Sequence, residues 1–188
     1  MQQEIIKKNR DWIWLSVILM AGICLRAAAI AGFSHIPESD ELSYQSMAVN
    51  LLAGNGILEN GNRAFYNAGY PMFILAPVYY IFGETLFAAR IANVLLGAVS
   101  IVFCYFVARE AGAGRIGRLL AAAIWALYLP TGIYGVYLAK ENLMVPLMLG
   151  VMWCALRLIK NPSVKIAAVC GLLFGLLAMI GNAALFSL

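Results

Sequence analysis

Long apolar runs alternate with short charged segments along this chain, and the charges gather between the runs rather than inside them. Residues 12–33 form the first run, which is uncharged apart from Arg26 and follows the basic flank "IIKKNR". Its apolar part is too long for a signal peptide, and no small-residue cleavage site follows, so it reads as a retained span. Further runs at 86–108, 118–139, 142–160 and 165–187 come close to the roughly 20 residues that one crossing needs. Residues 64–83 are also uncharged, but they hold Pro71, Pro77, Asn67 and four tyrosines, a composition that suits the membrane interface.

Basic residues decide between these readings. With about five spans, Lys7, Lys8, Arg10, Arg109, Arg115, Arg118, Arg157, Lys160 and Lys165 all fall on one side, with Arg63 and Lys140 opposite. A further crossing at 64–83 would scatter them, against the positive-inside rule. The expected topology therefore has a cytoplasmic N-terminus and an extracytoplasmic C-terminus. Residues 34–84 become one long external loop, far longer than two helices need for a connection. Within it, Leu42, Met47, Leu51 and Leu52 recur at roughly helical spacing between Ser39 and Ala53, which predicts an amphipathic helix on the membrane surface, ended by "GNG" at 54–56. Residues 71–82 predict a second interfacial helix. The fold class is all-α: a single polytopic membrane module over residues 1–188.

Composition agrees. The 188 residues are 63% hydrophobic and 12% charged, with a mean hydropathy of +0.85 and a net charge of +4, whereas soluble domains carry about 25% charge. Nothing in the charge pattern suggests nucleic acid as a partner. Cys24, Cys104, Cys154 and Cys170 all lie in apolar runs and match no metal-ligand spacing. "GAGRIG" at 112–117 spells a dinucleotide fingerprint, but it sits in a turn between two spans rather than after a strand. Gly171 and Gly175 form a G-x-x-x-G that suits helix packing. A small transporter is disfavoured, because Arg26 is the only charge deep in a span and no inverted repeat is evident.

The external side carries the candidate chemistry. "HIPESDEL" places Glu38, Asp40 and Glu41 just after the first span. Ser39 capping a helix, with two acidic residues in its first turn, would account for them structurally. Alternatively, a carboxylate held at the membrane face would serve as general base on an acceptor or as an oxygen ligand to a divalent cation; metal dependence stays open. Lys140 and Glu141 in "YLAKEN" form a second charged turn on the same side. An intramembrane arginine usually faces the protein interior or a polar cavity. Arg26, and Arg90 near the outer end of the second span, would neutralise a phosphate or pair with an acidic neighbour.

The order of features adds a resemblance. A first span with an internal arginine precedes "DELSYQSMAVNLLAGNG", then "NAGYPMFILAPVYYIFGETLFAARIANVLLGAVSIVFCYFVARE", then "ALYLPTGIYGVYLAKENLMVPLMLGVMWCALRL". Together these resemble the N-terminal part of the GT-C membrane glycosyltransferases, the group of protein O-mannosyltransferases and lipid A aminoarabinose transferases. The resemblance implies transfer of a sugar from a polyprenyl-phosphate donor at the extracytoplasmic face. It implies a catalytic role for Asp40 with Glu41 beside it, and a substrate-binding place near the active site for Glu141 with Lys140 next to it. Arg90 and Arg26 stay candidate substrate-binding residues by their positions in the spans. Family members have more spans than this chain, and they often read "LTRP" where "MIGNAAL" stands, with Gly181 and Asn182 replacing a basic residue and a proline. The alternative is a non-catalytic subunit or truncated remnant that binds a lipid-linked sugar or a partner membrane protein.

Overall fold

A computed structural model describes residues 2–59, 61–64 and 67–181, which are helical almost throughout. Helices α1 (Gln2–Gly32), α4 (Leu86–Glu110) and α7 (Glu141–Lys160) are long and apolar enough to cross a membrane. In the most apolar 18-residue stretch within Asp11–Gly32 of α1 only 22% of residues are buried, so most of this apolar surface faces outward. Helix α8 (Val164–Ile180) is shorter. Together α1, α4, α5 (Arg115–Leu127), α7 and α8 run alternately between the two ends of the bundle.

The run at 118–139 departs from the expectation of one helix. It is α5, then the short α6 (Leu129–Tyr134), then an irregular stretch to Lys140. Pro130 explains the break: it has no N–H to donate, and its ring excludes the carbonyl of Ala126 four residues earlier. The signal was present in the sequence as "LYLPTG", within a run whose hydropathy alone suggested continuity.

Between α1 and α4 the chain forms α2 (Asp40–Leu52), a two-stranded hairpin and α3 (Ala76–Phe82). The hairpin pairs β1 (Leu58–Glu59) with β2 (Asn62–Arg63) in antiparallel register. Helix α3 is entered through a wide π turn, Pro71–Leu75, in which Ala76 N–H donates to the Pro71 carbonyl. This widening spares Phe73 the clash that Pro77 would impose in a regular helix.

A helix is found where one was predicted, and the face it turns to the protein carries Met47 but not Leu42 or Leu52. Glu41, Tyr44, Met47 and Ala48 are buried, whereas Leu42 and Leu52 are exposed. The core at this end joins Tyr44 and Ala48 of α2 to Tyr70, Leu75 and Tyr79, and beyond them to Ala89, Leu143 and Ile180. Gly69 permits that closeness, since a Cβ there would lie 2.6 Å from Ile180 Cγ1 and 3.2 Å from its Cα. A second core joins Leu15 of α1, Ile101 and Tyr105 of α4, and Ala122 and Ala126 of α5.

Candidate functional site

Irregular backbone within a membrane bundle must have its polar groups satisfied by side chains. The stretch from Tyr134 to Ala139 shows how this is done. Arg90 Nε donates to the Val136 carbonyl at 2.9 Å, and Asn93 Nδ2 donates to the carbonyls of Gly135 at 3.2 Å and Tyr137 at 2.9 Å. Asn142 Nδ2 lies within 3.3 Å of the carbonyls of Tyr134, Tyr137 and Ala139. The Leu138 N–H donates to Glu41 Oε1 at 2.6 Å. Burial pushes the Tyr70 phenol well above its ordinary range, so it stays protonated and donates to Asn93 Oδ1 at 2.9 Å.

Glu41 is therefore occupied. Besides Leu138, it accepts from the Glu38 N–H at 3.2 Å, and its Oε2 lies 2.5 Å from His35 Nε2. His35 packs on Tyr137 with ring centroids 4.3 Å apart, and its carbonyl accepts from Arg90 Nη2 at 2.6 Å. Glu41 and Arg90 thus fasten the segment after α1 to the segment before α7. The expectation that Ser39 caps α2 fails: its side chain makes no capping bond. Ser39 instead adopts a φ of +48° in a turn closed by Glu41 N–H to Glu38 O at 3.0 Å. Such a φ in a non-glycine residue stores on the order of 1–3 kcal/mol.

Asp40 is the next residue and is exposed. With Glu141 it lines one cavity of about 340 Å³, walled also by Glu38, Tyr44, Tyr134 and Tyr137. Among the described residues, no hydrogen bond or ion pair takes up Asp40 or Glu141. Two residues a hundred positions apart thus bring unengaged carboxylates to one cavity.

A second cavity, of about 200 Å³, adjoins the first, because Tyr134 and Glu141 line both. Its walls are mostly apolar, and Arg26 stands in them. Arg26 is buried, and its partners are not acidic. Nη1 donates to the carbonyls of Gly22 at 3.1 Å and Ala126 at 3.0 Å. Nη2 donates to the Trp125 carbonyl at 3.4 Å and to Thr131 Oγ1 at 3.1 Å. The Trp125 and Ala126 carbonyls are among those that the break at Pro130 leaves without helical donors. The guanidinium closes the broken end of α5, where a positive charge also suits the helix dipole. This replaces the expected acidic partner with carbonyls and a hydroxyl. Gly97 makes room for it, since a Cβ there would lie 2.6 Å from Arg26 Nε.

Lys140 Nζ donates to Asn67 Oδ1 at 2.7 Å and lies close to Gly181, at the end of α8; Asn182 lies outside the described residues. The geometry thus brings Asp40, Glu41 and Glu141 to one cavity and Arg26 to its neighbour, while Arg90 and Lys140 serve neighbouring loops. Sequence reading missed Tyr134, Tyr137 and Asn93, and took His35, the one histidine, for an ordinary interfacial residue. Only Asn93, an amide inside an apolar run, offered a signal. Among the described residues no group of three His, Cys, Asp or Glu side chains is placed to hold a metal ion.

Residues 70–185, more than half of the chain, match the family described as dolichyl-phosphate-mannose-protein mannosyltransferase. The chain belongs to that family. No curated protein and no solved structure matches it. The mannosyltransferase family is one of membrane glycosyltransferases that use a lipid-linked donor, which agrees with the apolar helices. The matched residues include Arg90, Tyr134, Lys140 and Glu141, whereas Arg26, Asp40 and Glu41 precede them.

Proposed function

We propose that this protein transfers a sugar from a polyprenyl-phosphate-linked donor to an acceptor at the extracytoplasmic end of the bundle, the end that carries Asp40. The observation that carries the reading is a cavity lined by the unengaged acidic residues Asp40 and Glu141, with Glu38 beside them, which adjoins an apolar cavity. The polar cavity suits the sugar and the acceptor, and the apolar cavity suits the start of the lipid chain. Asp40 accepts the proton of the acceptor hydroxyl or amine as that atom attacks the anomeric carbon. The bond from that carbon to the phosphate oxygen breaks, and its electron pair leaves with the lipid phosphate. Attack from the face opposite the phosphate inverts the anomeric centre. Glu141, at the junction of the two cavities, holds the sugar hydroxyls, while Glu41 keeps the wall in register.

Asp40→Asn tests this in reconstituted membranes with a radiolabelled polyprenyl-phosphate sugar. Loss of a general base predicts a fall in transfer of about 100-fold or more with the protein still folded. Unchanged transfer would remove Asp40 from the mechanism.

One observation favours a second reading, a module or subunit that binds the lipid-linked sugar and completes its phosphate site with other chain. The three cations nearest the cavities already donate within the fold: Arg26 and Arg90 to carbonyls, Lys140 to Asn67. Donor binding by the chain without transfer, and with D40N binding as the unaltered protein does, would establish that reading.

A further inference from the structure

The acidic cavity has aromatic walls as well. Tyr134 and Tyr137 line it together with Asp40 and Glu141, and Tyr134 also lines the adjoining apolar cavity. Their ring centroids are 6.0 Å apart with the planes tilted by 45°, and the two residues are 47% and 37% exposed. A tyrosine that only marks the membrane interface lies open at the surface, as Tyr80 does with 81% exposure.

Tyr134 and Tyr137 are instead fixed at the cavity through their backbone. Asn142 Nδ2 donates to both carbonyls, at 3.3 and 3.1 Å, and Asn93 Nδ2 donates to that of Tyr137 at 2.9 Å. Three residues before Tyr134, Thr131 Oγ1 accepts from Arg26 Nη2 at 3.1 Å, which ties α6 to α1. His35 packs on Tyr137 with ring centroids 4.3 Å apart. Tyr137 is thus backed by another ring, and Tyr134 is the more exposed of the pair, at the junction of the two cavities.

Acidic side chains and an aromatic ring at one cavity match the two characters of a pyranose. Its hydroxyls seek hydrogen-bond partners around the rim. The C–H groups gathered on one face are made slightly positive by neighbouring oxygens, and they suit the electron-rich face of an aromatic ring. A purely apolar ligand would leave the carboxylates unpaired, and a small cation would leave the rings unused.

We propose that Tyr134 is the sugar platform: its ring covers the C–H face of the pyranose on the lipid-linked donor, and Tyr137, backed by His35, forms the platform's edge. This rests on the reading that the cavity receives the donor's sugar. It assigns the preference for a sugar-bearing lipid over the bare lipid phosphate to an aromatic ring. Because the backbone beneath the ring is already fixed, binding orders little of the protein.

Binding of dolichyl-phosphate mannose and of dolichyl phosphate, each to the whole protein in lipid nanodiscs, tests this. Two or three C–H contacts with the ring predict that Y134A weakens binding of the mannose-bearing lipid about tenfold. Binding of dolichyl phosphate should be unchanged, a result that general damage to the fold would not give. Y134F keeps the ring and should bind both lipids as the unaltered protein does. Y134L keeps bulk without a ring and should behave as Y134A. Equal binding of the two lipids by the unaltered protein, an equal loss of both in Y134A, or full binding by Y134L would each overturn the proposal. Failure of the transfer reading would look different: the protein would bind the mannose-bearing lipid through Tyr134 and transfer nothing.

Discussion

At the Asp11 end of the bundle, each buried carboxylate among the described residues is shared by two cations. Asp11 pairs with Arg115 and Arg118, and Glu110 lies 2.9 Å from Arg157 Nη1 and 3.8 Å from Lys160 Nζ. At the Asp40 end the pairing is dissolved. Arg26 and Arg90 donate to carbonyls, the buried Glu41 is held by backbone N–H groups and His35, and Asp40 and Glu141 stand unengaged at a cavity. The same side-chain types therefore do two jobs. Where opposite charges meet, they tie helix ends together. Where cations are diverted to backbone that a broken helix exposes, Asp40 and Glu141 are left without a partner in the fold.

The contrast is sharpest for substitutions that remove charge without changing shape. D40N should abolish most transfer, by about 100-fold or more, and should leave thermal stability nearly unchanged, because nothing in the fold uses that carboxylate. E141Q should behave alike with a smaller loss, about tenfold, since its assigned role is binding rather than proton transfer; KM for the donor should carry the effect.

R26Q breaks the comparison from the other side. It leaves the Trp125 and Ala126 carbonyls short of their donor and should lower stability by about 3 kcal/mol, since a hydrogen bond to a charged group contributes about 1.5–3 kcal/mol. Thermal unfolding in detergent would show the loss, and R26K should recover part of it.

D11N should cost about 2 kcal/mol by the same reasoning, discounted because both arginines are partly exposed. Transfer per folded molecule should stay unaltered. The smallest effects concern glycines. G97A forces a Cβ against the Arg26 guanidinium and should destabilise by about 1 kcal/mol. G171A, with nothing within 4 Å of the added Cβ, should be neutral or stabilise by about 0.5 kcal/mol through helix propensity.

Much of this architecture was legible in the sequence because lipid imposes a length rule. Long apolar runs announced α1, α4 and α7. The broken third run was not legible, because hydropathy counts Pro130 as one weak residue while the backbone treats it as a missing donor. The spacing of Leu42, Met47, Leu51 and Leu52 announced α2 but not the face it packs on the protein, where Tyr44 and Ala48 lie against Tyr70 and Leu75. In the site, the position of Glu38, Asp40 and Glu41 after the first span marked an acidic external segment. The engagement of Glu41 did not show, because it rests on the Leu138 N–H, nearly a hundred residues away, as well as on His35 and the Glu38 N–H. Likewise, Arg26 signalled importance by its depth, but its partners exist only once α5 has been broken.

The most direct test sets D40N beside D11N, with transfer and thermal unfolding measured on both in the same membranes. The account predicts opposite losses: D40N loses transfer by about 100-fold and melts with the unaltered protein, whereas D11N melts earlier and keeps transfer per folded molecule. If D40N still transferred sugar, or if its lost activity followed a matching loss of stability, the unengaged carboxylate would have no chemical role and the account would fail.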